Sequence, residues 1–245
     1  MVKAKPVERH SGVALWRQIA DRIRVAIGDG EFREAGMLPP AAELAERFGV
    51  NRHTVRAALA FLADEGLVES IQGHGTLIVD KKQLTLPISK RTRFSAGVGG
   101  QASSVAIRLV SSAEIAAPGD VARLLKLVPG APVIAIEEVG EVDSRPVSCS
   151  LHFFPAERFP DMAAQIAETG SITRAFAAAG LTDYLRASTD VSARHADAGE
   201  RALMKLSPGA IVLEARAVNT DLDGVPVQCS RTRFSADRIS LKIDV

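Results

Sequence analysis

The sequence is poor in the features that mark several broad classes of protein. Only two cysteines, Cys149 and Cys229, occur in 245 residues. They are too few and too far apart for a disulfide framework or a four-cysteine zinc site, and free, unreactive thiols are expected. No apolar run approaches the roughly 18 residues a membrane span needs. The opening stretch, Met1 to His10, lacks the apolar core of a secretory leader, so the cytoplasm is the expected location and no membrane partner is expected. Neither sign of charge is in excess, because 30 Lys+Arg against 29 Asp+Glu leave a formal net charge of +1. Any nucleic-acid partner must therefore be held by a local patch. Metal-ligand spacings, a nucleophile elbow, a phosphate loop and a dinucleotide fingerprint are all missing, and the histidines at 10, 53, 74, 152 and 195 are scattered. No catalytic residue, metal or cofactor is expected, and the chain is not read as an enzyme.

What is present is globular. Apolar residues make up 47% and charged residues 24%, close to the average for folded domains, and the length suits two modest ones. The composition shifts near residue 80. Residues 1–80 read as a compact first domain, and residues 81–92, with Lys81, Lys82, Lys90 and Arg91, no acid and a Pro87 break, read as a basic linker. A second domain over 93–245 follows. It contains an internal duplication: Leu124 to Val133 aligns with Leu203 to Val212. One residue of slippage later, Pro146 to Ser150 aligns with Pro226 to Ser230, and Arg158 falls on Arg238. Each copy reads as helix, Pro-Gly turn, strand, turn, strand. The expected strands are 134–142 and 147–154 in the first copy, and 212–221 and 225–234 in the second. Two such hairpins predict one antiparallel sheet with helices on one side, an α+β domain in which Cys149 and Cys229 are counterparts.

The first domain carries the more specific pattern. Leu15, Ile19, Ile23 and Ala26 recur at near-helical spacing, with Trp16 as a large anchor, until Gly28-Asp29-Gly30 ends the run. A short helix over 41–48 follows, broken by Gly49. Asn51 then caps a third helix, from Arg52 to about Glu65. Val55, Ala58, Leu59 and Leu62 share one face of it, which leaves Arg52, His53 and Arg56 on the other. Helix, Gly turn and a second helix with arginine at its start is a helix-turn-helix arrangement, whose second helix enters the major groove. Arg52 and Arg56 can grip guanine or phosphate, and Thr54 can reach phosphate or base edges. Two short strands around Gly73-His74-Gly75 complete a wing whose glycines let the backbone approach a duplex closely.

The run from Leu38 to Leu59, with Gly66-Leu67-Val68 and Gly73 to Thr76, resembles the winged helix-turn-helix of the GntR family of bacterial transcription regulators. By matching position the resemblance implies DNA contacts from Asn51, Arg52, His53, Thr54, Arg56, Gly73, His74 and Gly75. One departure is Ala41-Ala42, where relatives often carry Glu and sometimes Arg. Acids slightly outnumber bases over residues 1–80, so binding should depend on charge arrangement and on a homodimer gripping a two-fold operator.

The second domain resembles the effector-binding and dimerisation (UTRA) domain of the HutC branch of that family, which shares the chorismate lyase fold. Arg91-Thr92-Arg93-Phe94-Ser95, Phe154 to Pro160, Ser171-Ile172-Thr173 and Asp183 to Arg186 are similar to members associated with phosphonate-utilisation genes. The resemblance implies a repressor of phosphonate or phosphate-linked genes, governed by a small effector. Arg91 and Arg93 can clamp phosphate-like oxygens, Ser95 can donate a hydroxyl bond, and Ser171 and Thr173 stand where a helix begins, so an anionic effector suits them. Ser150, His152, Gln228 and Phe234 are pocket candidates by position. Sugar-phosphate-sensing relatives carry two arginines where this chain has Glu138 and Gly140, an acid at Gln228 and a tyrosine at Phe234, which disfavours a hexosamine phosphate. Three alternatives stay open at this point. They are a HutC-type regulator of another catabolic operon, for an amino acid or a sugar; a lyase-like enzyme fused to a DNA-binding module; and an architectural DNA binder without a ligand.

Overall fold

The computed structural model describes residues 13–32, 34–71, 74–79, 83–91, 93–206 and 208–243, apart from the side chains of 95 and 96. The chain divides into two compact units, Met1–Lys82 and Gln83–Val245.

In the first unit, α1 (Leu15–Gly28) is followed by the two-residue strand β1 (Met37–Leu38), then α2 (Ala41–Phe48) and α3 (Arg52–Asp64). The hairpin of β2 (Val68–Ile71) and β3 (Gly75–Ile78) comes next, and β1 extends it into a sheet of order β1-β3-β2. The three helices exist because each has an apolar stripe to bury. Ile19 and Ile23 of α1, Leu44 of α2, and Val55, Ala58, Leu59 and Leu62 of α3 share one core, and Trp16 packs edge-on against Phe61. The α2–α3 turn is set by local chemistry. Gly49 adopts the left-handed conformation at φ 65°, which glycine reaches without strain, and Asn51 accepts a hydrogen bond from the Thr54 amide at 2.8 Å.

The second unit opens with β4 (Leu84–Ile88) and α4 (Phe94–Gly99), then β5 (Val105–Ala116), α5 (Gly119–Leu125), β6 (Pro132–Val142) and β7 (Arg145–Pro155). Helices α6 (Met162–Thr169) and α7 (Ile172–Ala178) precede β8 (Leu185–His195), α8 (Ala198–Met204), β9 (Ile211–Thr220), β10 (Pro226–Ser235) and β11 (Ile239–Ile243). The main sheet is antiparallel with the order β5-β6-β7-β10-β9-β8. The duplication is therefore a strand-helix-hairpin unit, used twice and joined through β7 and β10. The register agrees with the sequence alignment. Cys149 pairs with Arg233 and Phe153 with Cys229, so exchanging each residue for its counterpart in the other copy reproduces the same pairing.

Two expectations need correction. The stretch taken as a linker over 81–92 contains β4, which pairs in parallel with β11 from Leu84–Ile239 to Ile88–Ile243. Pro87 sits within that ladder, which is permitted because the ladder has only two strands and its outer side needs no proline N–H. The helices of the two copies, α5 and α8, do share a face, over Cys229 and Cys149 respectively, but α6 and α7 cover the opposite face through Ile134, Ile136 and Phe154. That face is as apolar at one end as the first and must also be covered. Burial raises the Cys149 thiol to about 11 and the Cys229 thiol to about 12, which keeps both protonated at neutral pH.

Under α8 the charges are tightly paired. The Arg194 guanidinium donates to both Glu200 oxygens, at 2.6 and 2.8 Å, and Arg233 donates to one of them at 3.1 Å. Glu200 also closes a capping box with Asp197. Hydrogen bonds from Arg194, chiefly, hold the Glu200 carboxyl at about 2, below its ordinary 4.5. A carboxyl depressed in the folded state contributes stability above its unfolded value and loses it as pH falls toward the folded one. Glu200→Gln is expected to lower stability at pH 7 by about 2 kcal/mol, an order-of-magnitude figure. It should also flatten the fall in melting temperature between about pH 4.5 and 2. Thermal melts of both proteins across that range check it, and parallel pH profiles would contradict it.

Candidate functional site

Two places gather the residues singled out by the sequence. The first is the exposed side of α3. Arg52, His53 and Arg56 are solvent-facing there, while Val55, Ala58, Leu59 and Leu62 are buried on the other side. Arg24 is ion-paired to Asp21 and Glu65, and Arg47 to Glu31. Neither Arg52 nor Arg56 has an ion-pair partner among the described residues, so α3 presents two uncompensated guanidinium groups one helical turn apart. Asn51 and Thr54 hold each other at the helix start, because Asn51 Oδ1 accepts from the Thr54 amide and from its hydroxyl, both at 2.8 Å. In the wing, His74 is exposed and its amide donates to the Ile71 carbonyl at 3.0 Å. Gly75 opens β3 at φ 101°, where a Cβ would stand 3.0 Å from the Met37 side chain. Gly73 lies outside the described residues. Ala41 packs on the core and Ala42 is exposed; a methyl group at either position supplies no polar contact.

The second place is a cavity of about 120 Å³ on the sheet face shared with α6 and α7. Of the expected effector residues, Arg93, Ser150, His152, Ser171, Thr173, Gln228 and Phe234 line it. Arg91 does not: it is exposed, and its guanidinium is taken by both oxygens of Asp183. This corrects its expected place in the pocket. It also leaves the Asp183 carboxyl below its usual range, with Arg91 as the main cause. The Ser95 side chain lies outside the described residues. Ser171 is the N-cap of α7, accepting from the Arg174 amide at 3.3 Å. Thr173 shares a hydrogen bond with the Tyr184 hydroxyl at 3.0 Å. The Arg93 guanidinium stacks on the Tyr184 ring, 3.5 Å from its centre, and donates to the Tyr184 carbonyl at 2.7 Å.

Across the floor runs a file of polar side chains that the sequence did not disclose, one from each of five neighbouring strands. Arg186 Nε (β8) donates to Asn219 Oδ1 (β9) at 2.9 Å, and Asn219 Nδ2 donates to Gln228 Oε1 (β10) at 2.6 Å. Gln228 Nε2 is 2.9 Å from His152 Nδ1 (β7), and His152 Nε2 is 3.1 Å from Glu138 Oε1 (β6). Guanidinium can only donate, and this fixes every direction in the file. Asn219 must turn its oxygen to Arg186 and its amino group to Gln228, so Gln228 in turn donates to His152 Nδ1. An Nδ1 that accepts leaves the imidazole proton on Nε2, facing Glu138. Burial, chiefly, pulls Arg186 below the usual guanidinium value, and the charge of Arg93 acts in the same direction. Two cations therefore face one cavity, an arrangement that favours an anion between them. Arg186 was not recognised as a site residue, although Asp183 to Arg186 was a matching stretch. Its partner Asn219 is brought beside it only by the β8–β9 pairing.

Among the described residues there is no helix long and apolar enough to cross a membrane and no group of three His, Cys, Asp or Glu side chains that could hold a metal ion.

Residues 15–78 match the bacterial regulatory proteins of the gntR family, and residues 100–240 match the UTRA domain. The HTH-type transcriptional regulator RB1450 of Rhizobium meliloti is 55% identical over 241 residues, covering 98% of this chain and 99% of that one. The HTH-type transcriptional repressor PhnF of Mycolicibacterium smegmatis is 27% identical over 202 residues, 82% of this chain and 81% of the relative. The crystal structure of PhnF from Mycobacterium smegmatis superposes with a TM-score of 0.62 at 24% identity, covering 93% of this chain and 98% of that one, and so shares the fold. With a winged helix-turn-helix ahead of a duplicated α+β sheet, and with relatives that are transcriptional regulators rather than enzymes, the chain belongs to the GntR family of bacterial transcription regulators, in its UTRA-containing, HutC-type branch.

Proposed function

We propose that this regulator is a homodimeric, cytoplasmic repressor of phosphonate or phosphate-linked genes, and that a small anionic metabolite held between Arg93 and Arg186 releases it from a two-fold operator. The DNA part rests on α3. Its unpaired Arg52 and Arg56 enter the major groove, with His53 beside them, Asn51 and Thr54 at the helix start, and Gly73, His74 and Gly75 of the wing against the neighbouring backbone. Two heads on a two-fold site supply the affinity that one nearly neutral head lacks.

The effector part rests on one observation above all, the pair of guanidinium groups facing a cavity whose other lining residues combine hydroxyl, amide and aromatic side chains with aliphatic ones and with Glu138. A tetrahedral phosphonate or phosphate offers oxygens to both guanidiniums, and to the hydroxyls of Ser150 and Thr173. Phe234, stacked on Phe94 with centres 6.4 Å apart, closes one wall. The repressor role is supported by the naming of the PhnF relative as a repressor. An effector changes operator affinity only through unequal binding to the DNA-competent and incompetent states.

Replacing Arg52 or Arg56 with Ala is expected to cost about 1–3 kcal/mol of specific binding if the side chain reads a base, and to lower the salt slope by about 1 if it meets phosphate. Both residues are exposed, so melting temperatures should hardly move. Anisotropy titrations on the upstream region of the chain's own gene against random duplex check this, and unchanged affinity in both variants would remove α3 from the interface. Arg186→Ala should weaken the thermal shift given by ethylphosphonate about ten- to hundredfold in concentration, the worth of hydrogen bonds to a charged group. Operator binding without ligand should persist. If neither phosphonates nor phosphate shift the parent protein's melting or its operator affinity, the effector reading is wrong.

A further inference from the structure

One end of the polar file is unsatisfied. Glu138 is 6% exposed and His152 likewise 6%. Glu138 Oε2 and His152 Nε2 have no hydrogen-bond partner, although Glu138 Oε1 stands 3.1 Å from His152 Nε2. The directions imposed from Arg186 make His152 Nδ1 an acceptor, so the ring is a neutral imidazole and brings no positive charge to Glu138. The amides of Asn219 and Gln228 are engaged with each other and with their neighbours. Among the described residues no arginine or lysine is ion-paired to Glu138. A buried carboxylate without a cation is costly, and this one opens onto the same cavity as Arg93 and Arg186. The counterpart of Glu138 in the second copy is Ala217, which also lines the cavity.

We infer that the effector is a zwitterion whose ammonium group is received by Glu138, while its anionic group lies between Arg186 and Arg93. This rests on the proposed effector role of the cavity and adds to it a second recognition point of opposite charge. Glu138 then decides specificity: it rewards an amine and repels a ligand that carries negative charge alone.

The test uses the full-length protein and pairs of ligands that differ only in the amine. These are 2-aminoethyl-, 3-aminopropyl- and 4-aminobutylphosphonate against ethyl-, propyl- and butylphosphonate, a series that samples the distance between the two ends. Calorimetric affinities are measured for the parent and for Glu138→Gln. At least one amine-bearing member is expected to bind the parent about tenfold or more tightly than its amine-free partner. Glu138→Gln should close that gap from both sides, weakening the amine and tightening the amine-free ligand, and the second change shows that the variant is folded. If amine-free phosphonates bind as well as every amine-bearing one, or if Glu138→Gln leaves the preference intact, the ammonium site is refuted while the anion site stands. If Arg186→Ala also leaves all these affinities unchanged, the cavity is not the effector site and both readings fall.

Discussion

The pairing of β7 with β10 is the contact on which the second domain depends. Each copy of the duplicated unit ends in a strand whose outer edge would be left without partners if the copies stood apart. Joined edge to edge, they make a continuous antiparallel sheet with α5 and α8 on one face. The join also sets Arg233 of the second copy opposite Cys149 of the first.

The cavity exists because the two copies have diverged across that join. Counterparts under the internal symmetry are Glu138 and Ala217, Gly140 and Asn219, Ser148 and Gln228, and His152 and Thr232. In each pair one member is a large polar residue of the file and the other is smaller. The large ones supply the chemistry and the small ones the space. Gly140 illustrates the second role, since a Cβ there would stand 2.5 Å from the Ser148 hydroxyl and 3.2 Å from the Phe94 ring. A side chain at that position would press on Phe94, which α4 brings down to stack on Phe234.

How much of this was legible depends on the range over which each feature is encoded. The DNA-binding head could be read almost element by element, because its signals are local: Gly49 and Asn51 lie within the turn they define, and the apolar stripe of α3 repeats within four turns. The four hairpin strands were legible through the repeated Leu-X-Lys-Leu-X-Pro-Gly-Ala run and agree with the expected ranges to within a few residues. β5 and β8 were missed. They are edge strands, largely exposed, and polar residues such as Ser111, Ser112, Thr189 and Ser192 leave little alternation to detect. The basic flanks and Pro87 masked β4, whose partner β11 lies at the far end of the chain. The file from Arg186 to Glu138 was invisible for the same reason: its members meet only after five strands have been put in register. Expected pocket residues taken by position on the strands do line the cavity, whereas Arg91, taken for its charge and its neighbours, does not.

The parallel ladder of β4 and β11 ties the first segment after the DNA-binding head to the last described segment of the chain. Leu86 and Ile88 of β4 also form part of the cavity wall. Any purification tag or fluorescent fusion appended after Val245 therefore follows directly on a strand whose neighbour lines the cavity. Labels meant to leave signalling undisturbed belong on the sheet's outer loops instead, where Asp223 and Gly224 are exposed at a hairpin tip.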